Sequence, residues 1–398
     1  MLDISWTAQD SDTLAHAARL VVSGKSAETP LRADIVSSPQ HAITRREDGI
    51  IRRETGLLTS SSALVIAGES ILRPTLEGVG YDKSTTDALI ARLSARKIPG
   101  RINLVYVRIP EAYHTDSGQV IPLPPLDDLR LSALVDAQLE ADASLIIPPL
   151  PHGLESMKLA QTSLERTEVA MQTFKNKREM VGYVPATNNL ELARHLIGSY
   201  VKRGVRFFAI DFAGASNQPS LMRSVVGAIR ERMRIRSKAK ERDEKYYLHA
   251  FNVATSRRSS QTIAPISDII MHPYGVDSTS GRMWGGGNLS VDTIRYYETK
   301  DYGAYRREAL AGTSLSCDCP ICRGRTPSEV FRGTPLAVYY RTRAHRVVAY
   351  GNECKRIVER ITGDKPDQTY VPYLGTKVEA AADIRNVLSD VREIRAAL

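Results

Sequence analysis

From about residue 100 onward the chain alternates short apolar runs with stretches of helical periodicity, and this alternation limits the fold more than any other feature. The runs fall at 102–110, 144–151, 179–185, 206–214, 246–254 and 267–275, and between them lie helix candidates at 126–141, 189–204 and 220–233. In the last two, apolar residues recur every three or four positions, and Gly204 supplies a helix stop. Two earlier runs, 33–39 and 62–68, bring the strand count to eight. Eight strands with crossover helices predict a (β/α)8 barrel of the TIM type, with functional groups at the carboxyl ends of the strands. The first hundred residues are poorly assigned, and an open doubly wound sheet is the alternative. The expected division is a barrel over 1–290 and a metal-binding helical segment over 291–398, which suits a chain of 398 residues.

After residue 276 the pattern changes. A Gly- and Ser-rich stretch leads to Cys317-Asp-Cys319-Pro-Ile-Cys322 and then a long helix candidate from about 335 to 362 that carries His345. Only four cysteines occur, and three fall within six residues, which points to a metal rather than to disulfides. Three thiolates from one turn and an imidazole from a helix make a closed tetrahedral shell, so the reading is structural Zn2+ on Cys317, Cys319, Cys322 and His345. Cys354 is the competing fourth ligand; nine positions beyond His345, it lies near the opposite face of a straight helix.

The formal net charge is +9, a balance that favours polyanionic partners. Arg230, Arg232, Arg234, Arg236, Lys238 and Lys240 read as a solvated helix face, whereas Arg323, Arg325, Arg332, Arg341, Arg343 and Arg346 surround the cysteine motif as a candidate phosphate-binding surface. No run of 18 apolar residues suggests a membrane span, and the acidic, polar start is unlike a secretory signal, so the expected location is cytoplasmic.

The CDCPIC motif followed by a histidine in a long helix resembles the zinc site of the tRNA-guanine transglycosylases, a family of (β/α)8 barrels with a zinc-binding segment near the carboxyl terminus. The resemblance covers about residues 180–362. Within it, GVDSTSGRMW is more similar to the branch that modifies DNA, the 7-deazaguanine DNA transglycosylases. The resemblance implies replacement of guanine in DNA by a 7-deazaguanine base, such as 7-cyano-7-deazaguanine, through a covalent aspartyl–sugar intermediate. The same reaction on tRNA is one alternative, and a non-catalytic, zinc-stabilised nucleic-acid-binding subunit is another. A homo-oligomer or partner subunits remain open.

By that resemblance Asp277 is the nucleophile, at the carboxyl end of the last strand. The family's Asp-Ser-Gly-Gly-Phe motif, which carries the acid/base, is missing. Its nearest counterpart is Thr115-Asp116-Ser117-Gly118, which makes Asp116 the acid/base candidate and Asp34 its alternative. The family's glycine-rich base-binding strand is replaced by a segment from Phe208 to Gly214. There Asp211 ends a strand as a base-recognition candidate, with Gly214 beside it, and Trp284 offers a stacking surface. His249 and His272 read as hydrogen-bonded barrel histidines, and Gly285, Gly286 and Gly287 as a turn. An exchange enzyme of this kind needs Asp277 and a second carboxylate facing one pocket, about 5–6 Å apart by analogy with retaining glycosidases.

Overall fold

The computed structural model describes residues 2–36, 63–114, 117–173, 178–215, 219–241, 243–254, 261–281, 290–363 and 369–397. The strands are β1 (Leu2–Gln9), β2 (His16–Val22), β3 (Lys25–Thr29), β4 (Leu31–Arg32), β5 (Asp34–Val36), β6 (Leu64–Ser70), β7 (Ile102–Arg108), β8 (Tyr113–His114), β9 (Val120–Ile121), β10 (Leu145–Ile146), β11 (Glu179–Val184), β12 (Phe207–Asp211), β13 (Tyr247–Phe251), β14 (Ile263–Pro265), β15 (Ser278–Thr279), β16 (Tyr296–Glu298) and β17 (Gly303–Tyr305). The α-helices are α1 (Arg73–Gly78), α2 (Lys83–Ser94), α3 (Asp128–Glu140), α4 (Met157–Thr173), α5 (Leu190–Lys202), α6 (Pro219–Ala239), α7 (Pro327–Val330), α8 (Pro335–Thr362), α9 (Tyr370–Gly375) and α10 (Ala381–Ala396).

A parallel sheet runs in the order β4-β15-β13-β12-β11-β10-β7-β6-β5. Its two ends are one stretch of chain. Leu31 and Arg32 pair with Ser278 and Thr279, the Ala33 amide donates to the Thr279 carbonyl, and Asp34–Val36 then pair with β6 on the other side. The sheet therefore returns to its origin as an eight-stranded barrel, as the alternation of runs and helices predicts. Side chains from non-adjacent strands meet inside it; Tyr106 of β7 lies 5.2 Å from Phe251 of β13, ring centre to ring centre. The crossover helices are locally encoded. Asp127 accepts from the Arg130 amide to start α3, Asn189 accepts from the Leu192 amide to start α5, and Gly204 at φ +87° follows the α5 cap.

One of the eight expected strands is misplaced. The run 267–275 is not a strand but a 3-10 helix over Ile269–Tyr274, opened by Asp268 accepting from the Ile269 amide and closed by Gly275 in the left-handed region. A short apolar run is equally compatible with a buried helix and a buried strand, and Pro273 inside it fits poorly into a central strand. The eighth strand is β15, which follows this helix.

The amino-terminal sheet β1–β2–β3 covers the end of the barrel where the strands begin. Trp6 Nε1 donates to the Tyr246 carbonyl, Arg206 to the Leu2 carbonyl and the Leu14 amide to the Pro273 carbonyl. On the flank, α8 stands where an eighth barrel helix belongs. Its Tyr350 hydroxyl bonds Thr279 at 2.8 Å and His272 Nε2 at 2.9 Å, and its Arg343 pairs with Asp34 at 2.7 Å. The strands β14, β16 and β17 form a small antiparallel sheet next to the cysteine motif, with their own apolar core around Tyr296, Ile321, Phe331 and Val338. No helix among the described residues is long and apolar enough to cross a membrane.

The barrel wall is tight at Gly182, where a Cβ would stand 2.6 Å from Cδ1 of Phe208. Gly182→Ala is expected to lower stability by about 1–3 kcal/mol through overpacking, read from urea denaturation; an unchanged midpoint contradicts this packing.

Candidate active site and metal centre

Cys317, Cys319, Cys322 and His345 converge, their ligand atoms all within 4.8 Å of one another. His345 Nδ1 lies 3.2 Å from Cys322 Sγ and 3.5 Å from Cys319 Sγ. A tetrahedron with bonds of about 2.3 Å has edges of about 3.8 Å, so the cluster has the dimensions of a closed metal shell. His345 Nε2 donates to the Tyr297 carbonyl at 2.6 Å, which leaves the Nδ1 lone pair directed at the sulfurs, and Tyr296 stacks on the ring at 4.1 Å. The Cys317 and Cys322 thiols pull Cys319 down to about 3, and the same contacts push Cys322 up. A divalent ion at the centre would favour the ionised form of the thiols. Cys354 lies apart, in the main core.

Of the arginines around the motif, Arg341 is buried and donates to the Glu329, Val330 and Arg332 carbonyls, and Arg343 is committed to Asp34 and the Ile35 carbonyl. The expected phosphate-binding surface is therefore reduced by two residues that tie down loops and the closing strand.

Asp277 stands at the end of the barrel opposite to the one expected. It precedes β15, level with Leu248 near the start of β13, because the run taken as its strand is the helix before it. Its carboxylate is fully buried. Oδ1 lies 2.9 Å from His16 Nε2 and accepts from Thr29 Oγ1 at 3.1 Å, and Oδ2 accepts from the Leu248 amide at 2.8 Å. This is a knot joining barrel floor to amino-terminal sheet. Asp34, the alternative acid/base, is buried against Arg343 of α8. Asp116 and Trp284, like Gly285–Gly287, lie outside the described residues.

Asp211 does stand at the carboxyl end, as the last residue of β12, level with Phe251. From Leu248 to Phe251 is three residues, about 10 Å along a strand. Asp277 and Asp211 therefore do not form the 5–6 Å carboxylate pair. Asp211 Oδ2 accepts from Tyr183 at 2.8 Å, Tyr106 at 3.0 Å, His152 Nε2 at 3.0 Å and Asn252 at 3.0 Å, and Oδ1 from the Ala213 amide at 2.7 Å and Asn252 at 2.9 Å. Burial alone would raise this carboxyl, but donors from His152, Asn252 and Ala213 outweigh it and hold it below the usual range. Burial, then the nearby Asp211 charge, pushes the Tyr106 and Tyr183 hydroxyls well up, so both remain donors. Gly214, at φ +80°, sits at the rim of the same cluster and bonds the Asn252 carbonyl.

No family model and no curated protein matches the chain.

Sequence reasoning missed Tyr106, His152, Tyr183 and Asn252. A usable signal was present: His152 directly follows the run 144–151, as Asn252 lies near the end of 246–254, and polar residues at the carboxyl ends of barrel strands converge on one mouth. His249 points inward to Ser278 and Ser280, and His272 bonds Val276 and Tyr350 outside the barrel.

Burial lowers His249 to about 3 and His272 to about 4, so both are neutral in the fold at pH 6. In the unfolded chain they protonate near pH 6.5, so the unfolded state gains protons first and stability falls as pH drops from about 6.5 towards 4. Each histidine is expected to contribute up to about 1.4 kcal/mol per pH unit, and His249→Gln removes one share of the slope in urea titrations at pH 7.5 and 5. Asp277→Asn is expected to cost about 3–5 kcal/mol, because it breaks a buried charged knot; a variant as stable as wild type rejects the knot.

Proposed function

We propose that the chain is a zinc-stabilised barrel of the guanine transglycosylase type that acts on guanine in a nucleic acid, DNA ahead of tRNA, and replaces it with a 7-deazaguanine base. The observation that carries this reading is the Asp211 cluster at the carboxyl end of the barrel, the end at which barrel enzymes place their chemistry. Guanine offers adjacent N–H donors on its Watson–Crick edge, which match a carboxylate that accepts only, and they would take over positions that the Tyr106 and Tyr183 hydroxyls hold. Phe251, against both tyrosine rings, supplies an apolar wall for the base. Three thiols and an imidazole with no open ligand position support zinc in a structural role, and metal-binding thiols suit a reducing compartment such as the cytoplasm. Zinc there would pin the loop between β17 and α8, and α8 in turn braces the closing strand through Arg343.

A second reading, a base-binding subunit without exchange chemistry, is favoured by one observation: both oxygens of Asp277 and of Asp211 already accept hydrogen bonds. Incorporation of labelled 7-cyano-7-deazaguanine separates the two. The enzyme reading expects incorporation into DNA, lowered at least ~100-fold by Asp211→Asn. Binding of DNA without incorporation into either DNA or tRNA supports the subunit reading and rejects exchange.

For the metal, the expectation is one zinc per chain by elemental analysis, with Cys322→Ser losing it and melting several degrees lower, about 2–4 °C per kcal/mol lost. Metal-free protein of unchanged stability contradicts a structural zinc.

A further inference from the structure

Two groups at the barrel mouth, His152 and Glu111, bear on the exchange chemistry itself. His152 is 6% exposed, and among the described residues the polar contacts of its ring run through Nε2, to Asp211 at 3.0 Å and to Tyr106 at 3.2 Å. Among the described residues its Nδ1 makes no hydrogen bond, and it is not one of the fully enclosed polar atoms, so it is left open to a ligand. The second group is Glu111. The extension of β7 runs beside that of β10, with Ile109 bridged to Pro151 and the His152 amide donating to the Ile109 carbonyl. Two residues further on, Glu111 lies over Gly153, its carboxyl carbon 2.7 Å from where a Cβ would stand. Gly153 has a φ of +64°, a conformation that favours glycine, and the absence of a Cβ leaves the space in which the Glu111 side chain lies. Glu111 is exposed and, among the described residues, has no hydrogen-bond or ion-pair partner.

We propose that Glu111 and His152 are the reacting pair of this mouth, with Glu111 as the attacking carboxylate and His152 as the proton carrier for the base. The proposal rests on the guanine-exchange reading. In the first step a Glu111 oxygen forms a bond to the sugar C1′ as the C1′–N9 bond breaks. That electron pair leaves on the guanine, and the imidazolium gives it the Nδ1 proton. In the second step a 7-deazaguanine gives its N9 proton to neutral His152, N9 bonds C1′, and the Glu111 carboxylate departs. Atoms and charge balance over the cycle without a further reactant. Asp211 holds Nε2–H, which fixes the tautomer and stabilises the imidazolium, as the acid does in an Asp–His pair. The carboxylate is free and the imidazole is oriented, which is the division of labour that neither Asp277 nor Asp211 offers.

The test uses the full chain with a guanine-containing DNA oligonucleotide and 7-cyano-7-deazaguanine. Glu111→Gln is expected to lower kcat at least ~1000-fold with KM nearly unchanged and to abolish the covalent protein–DNA species seen by denaturing mass spectrometry. His152→Gln is expected to lower kcat ~100- to 10,000-fold and to flatten the pH profile. Glu111→Gln should melt within a few degrees of wild type, since Glu111 is exposed. Ring-nitrogen NMR, which needs no activity, should find the proton of neutral His152 on Nε2, beside Asp211, with Nδ1 carrying the lone pair. Wild-type exchange with Glu111→Gln equally active overturns the pair and leaves the exchange reading standing. Absence of exchange on DNA and on tRNA overturns both. A proton fixed on Nδ1 overturns the role of His152 whatever the kinetics.

Discussion

A parallel barrel has no exposed edge only if its first strand pairs on both sides, and here that condition falls on six residues, Leu31 to Val36. The first two serve β15, the last three serve β6, and Ala33 is the hinge between the partners. An open sheet would leave two rows of unpaired amides and carbonyls. The short strand is supported from outside by ion pairs rather than by length: Arg32 binds Asp268 and Asp34 binds Arg343 of α8. Both pairs are largely buried, so each fixes geometry at a desolvation cost instead of adding much net stability. The position of α8 on the barrel, and with it the Cys3His cluster beyond β17, follows from this closure.

Closure also gives the barrel two unlike ends. The end where strands begin is sealed by β1–β3, with Trp6 stacked on His16 at 3.9 Å and His16 Nε2 2.9 Å from the Asp277 carboxylate. The end where strands finish gathers Tyr106, His152, Tyr183, Asp211 and Asn252, with Glu111 above them. A buried carboxylate occurs at each end, yet their surroundings differ in kind. Asp277 is held by groups that join two layers of structure. Asp211 is held by a histidine, two tyrosines and an asparagine that converge from four strand ends, and its charge lies 3.0 Å from the imidazole Nε2.

Much of this was legible in the sequence, for specific physical reasons. Apolar runs bounded by capped helices located seven of the eight strands, since burial on both faces demands unbroken hydrophobic stretches. The Cys-x-Cys-x-x-Cys spacing and a histidine on the following helix located the Cys3His cluster, because ligand chemistry is local in sequence and nearly independent of the surrounding fold. The error over 267–275 was also local, but its effect was not. One helix read as a strand moved Asp277 from the floor of the barrel to its mouth, since a residue after a strand and a residue before one lie at opposite ends. Tyr106 and Tyr183 could not be found from spacing at all. They are hydroxyl-bearing members of apolar strands, and only the convergence of β7, β11 and β12 turns them towards one carboxylate. Glu111 has no motif; its place is visible only through Gly153.

The central claim is that the functional end of this barrel is the one bearing Asp211, His152 and Glu111, with Asp277 sealed at the other. Carbodiimide labelling of carboxylates in the native protein, read residue by residue by mass spectrometry, tests it most directly. The account predicts rapid labelling of Glu111 and strong protection of both Asp211 and Asp277 until the chain unfolds. Native-state labelling of Asp277 at a rate comparable to Glu111 would contradict it, since a reachable Asp277 cannot be the buried knot on which this reading of the barrel depends.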